Sequence, residues 1–154
     1  MAKAPIKESF VIAGPAGQLE ALLEQPEGFD GRRVAVLCHP HPQHQGTMLN
    51  KVVHTLARAL TDLGVLAVRF NFRGVGASEG DYGGGTGELD DLESVAAYAR
   101  QRWPDAELWL AGFSFGAVIS ARAAVKLAPA QLISIAPAVN ILGQTLASTP
   151  DMPW

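Results

Sequence analysis

Apolar positions along the chain fall into short runs separated by glycine- and proline-marked breaks, and the spacing inside the runs changes in a regular order. Phe10–Ile12 and Leu19–Leu23 are strand-like, and Gly14-Pro15-Ala16-Gly17 between them has turn composition, so together they predict a β-hairpin. Val34–Leu37 is β-branched and aliphatic throughout, the pattern of a strand buried on both faces. Over Asn50–Leu63 the period changes. Val53, Leu56, Ala57, Leu60 and Leu63 recur at helical spacing, and Gly64 follows where a helix C-cap is expected. Val65–Phe70 predicts a second buried strand. Glu88–Arg102 predicts a helix with Leu89, Leu92, Val95, Ala96 and Ala99 on one face, stopped by Trp103-Pro104. Its acids, Glu88, Asp90 and Asp91 among them, are expected to form a solvated first turn that complements the helix dipole, with Arg69 and Arg73 as pairing candidates. Leu108–Ala111, Phe115–Leu127 and Gln131–Ile135 then read as strand, helix and strand.

A hairpin followed by repeated strand–helix–strand units is the order of an α/β fold, a mainly parallel sheet with helices on both faces. Ligands in such sheets bind at the carboxyl ends of strands. Three loops leave those ends here: His39–Gly46, Asn71–Gly87 and Gly112–Phe115.

Length and charge narrow the picture further. At 154 residues, with no repeat and no linker-like tract, residues 1–154 are read as a single domain. A net charge of -3 gives no reason to expect nucleic acid or an anionic membrane as partner. The lone cysteine, Cys38, has no internal disulfide partner, which fits a reducing compartment, and it is expected as a buried structural thiol. No apolar h-region opens the chain and no run is long enough to span a bilayer, so the cytoplasm is the expected location. Gly74-x-Gly76 followed by Gly80 does not open a helix directly, which argues against a dinucleotide fingerprint. Trp103 and Trp109 are expected to pack and not to bind.

The chemistry is carried by Gly112-Phe113-Ser114-Phe115-Gly116. In a chain with 16 glycines, a G-x-S-x-G pattern arises by composition with a probability on the order of 5–10%, so its placement matters more than its presence. It lies between a buried strand and a helix. A serine on so tight a turn has a strained backbone, and its neighbours two residues away approach too closely for a side chain. The hydroxyl then stands at a helix N-terminus, where dipole and free amides favour developing negative charge, and the Phe115 amide is the natural first oxyanion donor. The competing explanation is a serine helix cap between two packing glycines.

At this point the chain resembles the α/β-hydrolase family, in the form of its small bacterial members with an HPHP motif. His39-Pro40-His41-Pro42 is similar to the family's oxyanion loop, and Gly46-Thr47-Met48-Leu49-Asn50-Lys51 continues the likeness. Phe70-Asn71-Phe72-Arg73-Gly74-Val75-Gly76-Ala77-Ser78-Glu79-Gly80 resembles the loop after the next strand, and Gly87-Glu88-Leu89-Asp90-Asp91 the start of the following helix. With the elbow these motifs cover nearly all of residues 33–137 in family order. The resemblance implies Ser114 as nucleophile in hydrolysis of carboxylic esters or related acyl compounds, with no cofactor and no metal. It also implies that the second oxyanion amide is that of His41. Pro40 and Pro42 have no N–H, so among residues 40–42 only His41 can donate from its backbone.

The rest of a triad is missing. Chain order in these hydrolases runs serine, acid, histidine, yet the 40 residues after Ser114 hold one acid, Asp151, and no histidine. The expectation is therefore a hydrolase fold truncated after its sixth strand, with Thr149–Trp154 leading into an absent strand and activity impaired for want of a base. Gln131–Ile135 would then be an unpaired apolar edge that invites self-association. Two alternatives remain open beside a small-molecule acyl hydrolase. One is a non-catalytic binding protein on the same fold. The other is a zinc hydrolase using His39, His41 and His44, whose spacing resembles the H-x-H-x-x-H run of metallo-β-lactamase-like enzymes. A loop histidine acting as the base is a further variant.

Overall fold

The computed structural model describes residues 3–138 and 152–154. Its elements are β1 (Ile6–Gly14), β2 (Gly17–Gln25), β3 (Arg33–Cys38), α1 (Lys51–Asp62), β4 (Leu66–Phe70), α2 (Thr86–Arg102), β5 (Glu107–Phe113), α3 (Phe115–Leu127) and β6 (Gln131–Ile135). The strands form one sheet in the order β1-β2-β4-β3-β5-β6. The hairpin β1–β2 and the β2–β4 pair are antiparallel, and β4, β3, β5 and β6 run parallel. This is the α/β-hydrolase fold, a mainly parallel sheet with helices on both faces.

The strand order locates the site. From β3 the chain crosses to β4 on one side, then returns past β3 to β5 on the other. The crevice at such a switch point opens at the carboxyl ends of the strands. All three loops singled out from the sequence leave the sheet there. Helix α1 packs on one face against β2, β3, β4 and β5, while α2 and α3 pack on the opposite face and on each other. Two apolar clusters follow, a larger one around Phe70, Phe72, Leu92, Phe115 and Ile119 and a smaller one around Leu37, Val53, Leu60 and Ala67.

Helix boundaries follow their caps. The Asn50 side chain accepts from the Val52 and Val53 amides at 2.9 and 3.3 Å and starts α1. Gly64, at φ 81°, ends it. Its amide donates to Thr61 and the Val65 amide to Leu60, both at 3.0 Å, the paired bonds of a Schellman ending. Val53, Ala57 and Leu60 are buried as their period predicts, but Leu63 is 62% exposed because the chain turns away there.

Two expectations are corrected. The first turn of α2 is only partly solvated: Asp90 is exposed as expected, but Glu88 and Asp91 are each 0% exposed, and the helix starts two residues earlier than its apolar period indicates. Glu88 accepts from the Gly83 and Gly85 amides at 2.9 and 2.8 Å, so its charge satisfies the turn that feeds the helix. Arg73 does pair with an acid of that helix, Asp91, through a two-nitrogen fork at 2.9–3.2 Å. Arg69 instead pairs with Glu24 of β2. The second correction concerns β6. It is the sheet edge among the described residues, but it is not bare: Pro153 accepts from the Leu132 amide at 2.9 Å, and the Trp154 indole donates to Ser134 Oγ at 2.6 Å. Of the lead-in expected over residues 149–154, positions 149–151 lie outside the described residues.

Arg69 and Glu24 are both buried, and Arg69 also donates to the Met48 carbonyl at 2.8 Å. Removing one partner strands the other's charge, whereas replacing both with apolar groups of similar size does not. We therefore expect Arg69→Met to cost about 3–5 kcal/mol and Arg69→Met with Glu24→Leu to recover most of that loss, measured by urea denaturation. Equal stability of the single and double variants would contradict this reading of the pair.

Candidate active site

Ser114 is the one residue between β5 and α3. Its backbone sits at φ 57° and ψ −115°, a region that residues with a side chain adopt only under compulsion. The compulsion is visible. The Ser114 amide donates to Ile135 O at 2.9 Å, and the Ser114 carbonyl accepts from the amides of Ala117, Val118 and Ala138 at 3.1, 3.3 and 3.2 Å. A side chain at Gly112 would overlap the Gly116 carbonyl, and one at Gly116 would overlap the carbonyls of Cys38 and His39. The first turn of α3 thus rests directly on the end of β3. Although Ser114 occupies the N-cap position, its side chain makes no capping bond, so the cap explanation of the motif does not hold. The residue is half-buried.

The loop after β3 lies beside this turn. His39 is fully buried. Its Nε2 is 3.1 Å from the Phe72 amide and its Nδ1 2.6 Å from the Pro40 carbonyl. Since an amide can only donate and a carbonyl only accept, the ring is neutral with its proton on Nδ1. Burial pushes its pKa down to about 4. His41 is half-exposed and packs its ring on Phe115, 4.8 Å between centroids. Its carbonyl accepts from the His44 and Gly46 amides, both at 3.0 Å, which closes the loop into a compact turn. Among the described residues neither the His41 nor the Phe115 amide has a hydrogen-bond acceptor. The ring contact joins these two segments next to Ser114.

The loop after β4 braces both. Asn71 Oδ1 accepts from the Met48 amide at 2.8 Å, and Asn71 Nδ2 donates to Glu20 at 2.8 Å. Ser78 Oγ donates to the Asn71 carbonyl and accepts from the Glu20 amide, at 2.6 and 2.8 Å. Farther along, Tyr82 lies 5.1 Å from the His41 ring and 6.4 Å from Phe115. The sequence reading missed Tyr82, and no spacing rule would have found it, because it sits in an aperiodic loop. The buried pair Glu88 and Asp91 left one signal: at three residues apart they share a helix face.

The other candidates separate from this site. His39, His41 and His44 do not converge as a metal site: both His39 nitrogens are engaged, and among the described residues no three histidine, cysteine, aspartate or glutamate side chains are arranged to hold a metal ion. Cys38 is buried, with its thiol pushed up to about 12 by that burial against a smaller opposing effect from Ser120. It is no nucleophile at neutral pH. Trp103 packs against the larger apolar cluster and Trp109 against the smaller. Among the described residues no helix is long and apolar enough to cross a membrane.

Comparison with known proteins places this geometry in context. Residues 31–151 match the family Hydrolase_4, described as serine aminopeptidase, S33. The chain is similar to a Coxiella burnetii protein whose structure is that of an α/β serine hydrolase homologue, with 51% identity and a TM-score of 0.90 over 96% of this chain and 71% of the other. It is similar also to a Xanthomonas campestris α/β serine hydrolase without a lid, at 44% identity and a TM-score of 0.87, covering 96% and 67% of the two chains. An uncharacterised protein of Rickettsia prowazekii is 35% identical over 131 residues, 84% of this chain. The chain spans 55% of that relative's length.

Two outcomes test the site's construction. Gly116→Ala should cost about 3 kcal/mol or more, since backbone of β3 and not a flexible side chain meets the new methyl group; a loss below about 1 kcal/mol would contradict the close approach. His39 sets a pH dependence. Its folded pKa lies below its unfolded one, so the unfolded state binds the extra proton first and stability falls as pH drops from 6.5 to about 4. The full shift is worth about 3 kcal/mol. Denaturation midpoints between pH 7 and 5, with a histidine resonance still neutral at pH 5, measure it; a His39 titrating near 6.5 would overturn it.

Proposed function

The chain belongs to the Hydrolase_4 family of α/β serine hydrolases, and on that premise we propose that Ser114 is the nucleophile of a hydrolase acting on carboxylic esters or related small acyl compounds. The observation that carries this is the Ser114 backbone at φ 57° and ψ −115° with an uncapped hydroxyl between β5 and α3. Packing accounts for the strained backbone but not for a hydroxyl left there without a capping bond.

In this reading a general base takes the Ser114 hydroxyl proton as Oγ bonds to the acyl carbon. The carbonyl electron pair moves to oxygen, where the Phe115 and His41 amides receive it. Collapse breaks the bond to the alcohol, which leaves with the proton from the base, and water then releases the acid by the same steps in reverse roles. The triad order is serine, acid, histidine, and no histidine follows Ser114 within these 154 residues, so this reading assigns the base to no residue of the chain. His39 is an unsuitable base, neutral but with both nitrogens occupied. No cofactor is invoked. The same reading keeps the cytoplasm as location, and as a property of the chain on its own it keeps self-association through the part of the β6 edge that Pro153 and Trp154 leave open.

Loss of the base costs such enzymes several powers of ten, and what remains depends little on the serine. The 154-residue chain should therefore cleave p-nitrophenyl acetate only marginally, and Ser114→Ala should change that little. Added imidazole, an external base, should restore cleavage above its own background with an acetyl group detectable on Ser114 by mass spectrometry, and Ser114→Ala should abolish both. Robust turnover without imidazole, lost on replacing a loop histidine, would instead assign the base to that loop. Rescue that survives Ser114→Ala would reject the nucleophile.

A further inference from the structure

We propose that Tyr82 is a positioning residue for the oxyanion loop: its hydroxyl and the Gln43 amide grip the two ring nitrogens of His41 and so fix the backbone that carries the His41 N–H. The proposal rests on the reading of that N–H as an oxyanion donor.

The grip has a defined direction. The Gln43 amide donates to His41 Nδ1 at 3.1 Å, so Nδ1 is unprotonated. The proton of the neutral ring is then on Nε2, which lies 3.1 Å from Tyr82 Oη and donates to it. One ring nitrogen holds the loop's own turn, and the other ties that turn to the loop after β4. The ring is further clamped by Phe115 at 4.8 Å and His44 at 4.7 Å. A phenol at this place does what an alkyl side chain cannot, since only an oxygen accepts from Nε2.

Charge on the ring would undo the arrangement, because a protonated Nδ1 faces the Gln43 amide donor to donor. The titratable groups about the ring are His44 from the same loop, Tyr82 from the neighbouring loop and Glu88 from α2; α3 contributes the uncharged Phe115. Burial first and His44 second hold His41 below its ordinary value, against Glu88, which pulls it upward. Burial and Glu88 keep the Tyr82 phenol above its own, so it remains an O–H at working pH.

Tyr82→Phe keeps the ring and removes only the oxygen. In the 154-residue chain, nitrogen-15 spectra of His41 should show a single Nε2–H tautomer for the unsubstituted protein and a mixture of tautomers for Tyr82→Phe. Amide exchange at His44 and Gly46, whose N–H groups close the loop on the His41 carbonyl, should rise about fivefold, the worth of one net hydrogen bond. An unchanged tautomer together with unchanged exchange would show that Tyr82 only packs, and would overturn the proposal. Neither readout requires turnover, so a Ser114 that proves unreactive rejects the proposed function while leaving the Tyr82 result to stand or fall by itself.

Discussion

The structure depends on one close approach, the backbone of Gly116 against the carbonyls of Cys38 and His39. A helix whose first turn lies directly on the end of a neighbouring strand cannot enter through a relaxed loop. The turn from β5 must be made within a single residue, and Ser114 is that residue. Its positive φ is therefore a consequence of where α3 sits, enforced by four backbone hydrogen bonds, two to Ala117 and Val118 of α3 and two to Ile135 and Ala138 at the end of β6 and just beyond it. The same contact delivers the helix N-terminus to the switch point of the sheet, where dipole and free amide coincide with the loop carrying His41.

Around that contact the polar groups are organised to hold loops that have no regular structure of their own. Buried charges cost more than they return unless they are paired and hydrogen-bonded, yet Arg69, Glu24, Glu88 and Asp91 are all buried close to these loops. Three of them fix backbone directly: Arg69 binds the Met48 carbonyl, Asp91 the Arg73 amide, and Glu88 the amides of Gly83 and Gly85, while Glu24 holds Arg69 in place. Asn71 and Ser78 carry the same bracing across to β2. Stability is spent on holding the rim in one geometry, which is what preorganised catalysis requires.

Much of this was legible in the sequence because it follows from period and backbone chemistry. The runs Val34–Leu37 and Val65–Phe70 are buried strands for the reason their composition suggests, both faces being covered. The elbow was readable because only glycine tolerates the approach at positions 112 and 116. What escaped were long-range pairings. Beyond their shared helix face, nothing local distinguishes the buried Glu88 and Asp91 from solvated helix acids, and Arg69 finds Glu24, 45 residues away. The metal-like spacing of His39, His41 and His44 misleads for a similar reason: the turn sends His39 inward and His41 toward Phe115.

The central claim is that the fold stores strain at Ser114 to present its hydroxyl. Replacing Ser114 by alanine keeps the Cβ and the strain, whereas glycine relieves the strain and removes the hydroxyl equally. Unfolding free energies of the two variants, measured side by side in denaturant, isolate the backbone contribution. The glycine variant should be the more stable by about 1 kcal/mol, despite the greater freedom of its unfolded chain. An alanine variant as stable as the glycine variant, or more so, would mean that the Ser114 backbone is relaxed and that the elbow is an ordinary turn.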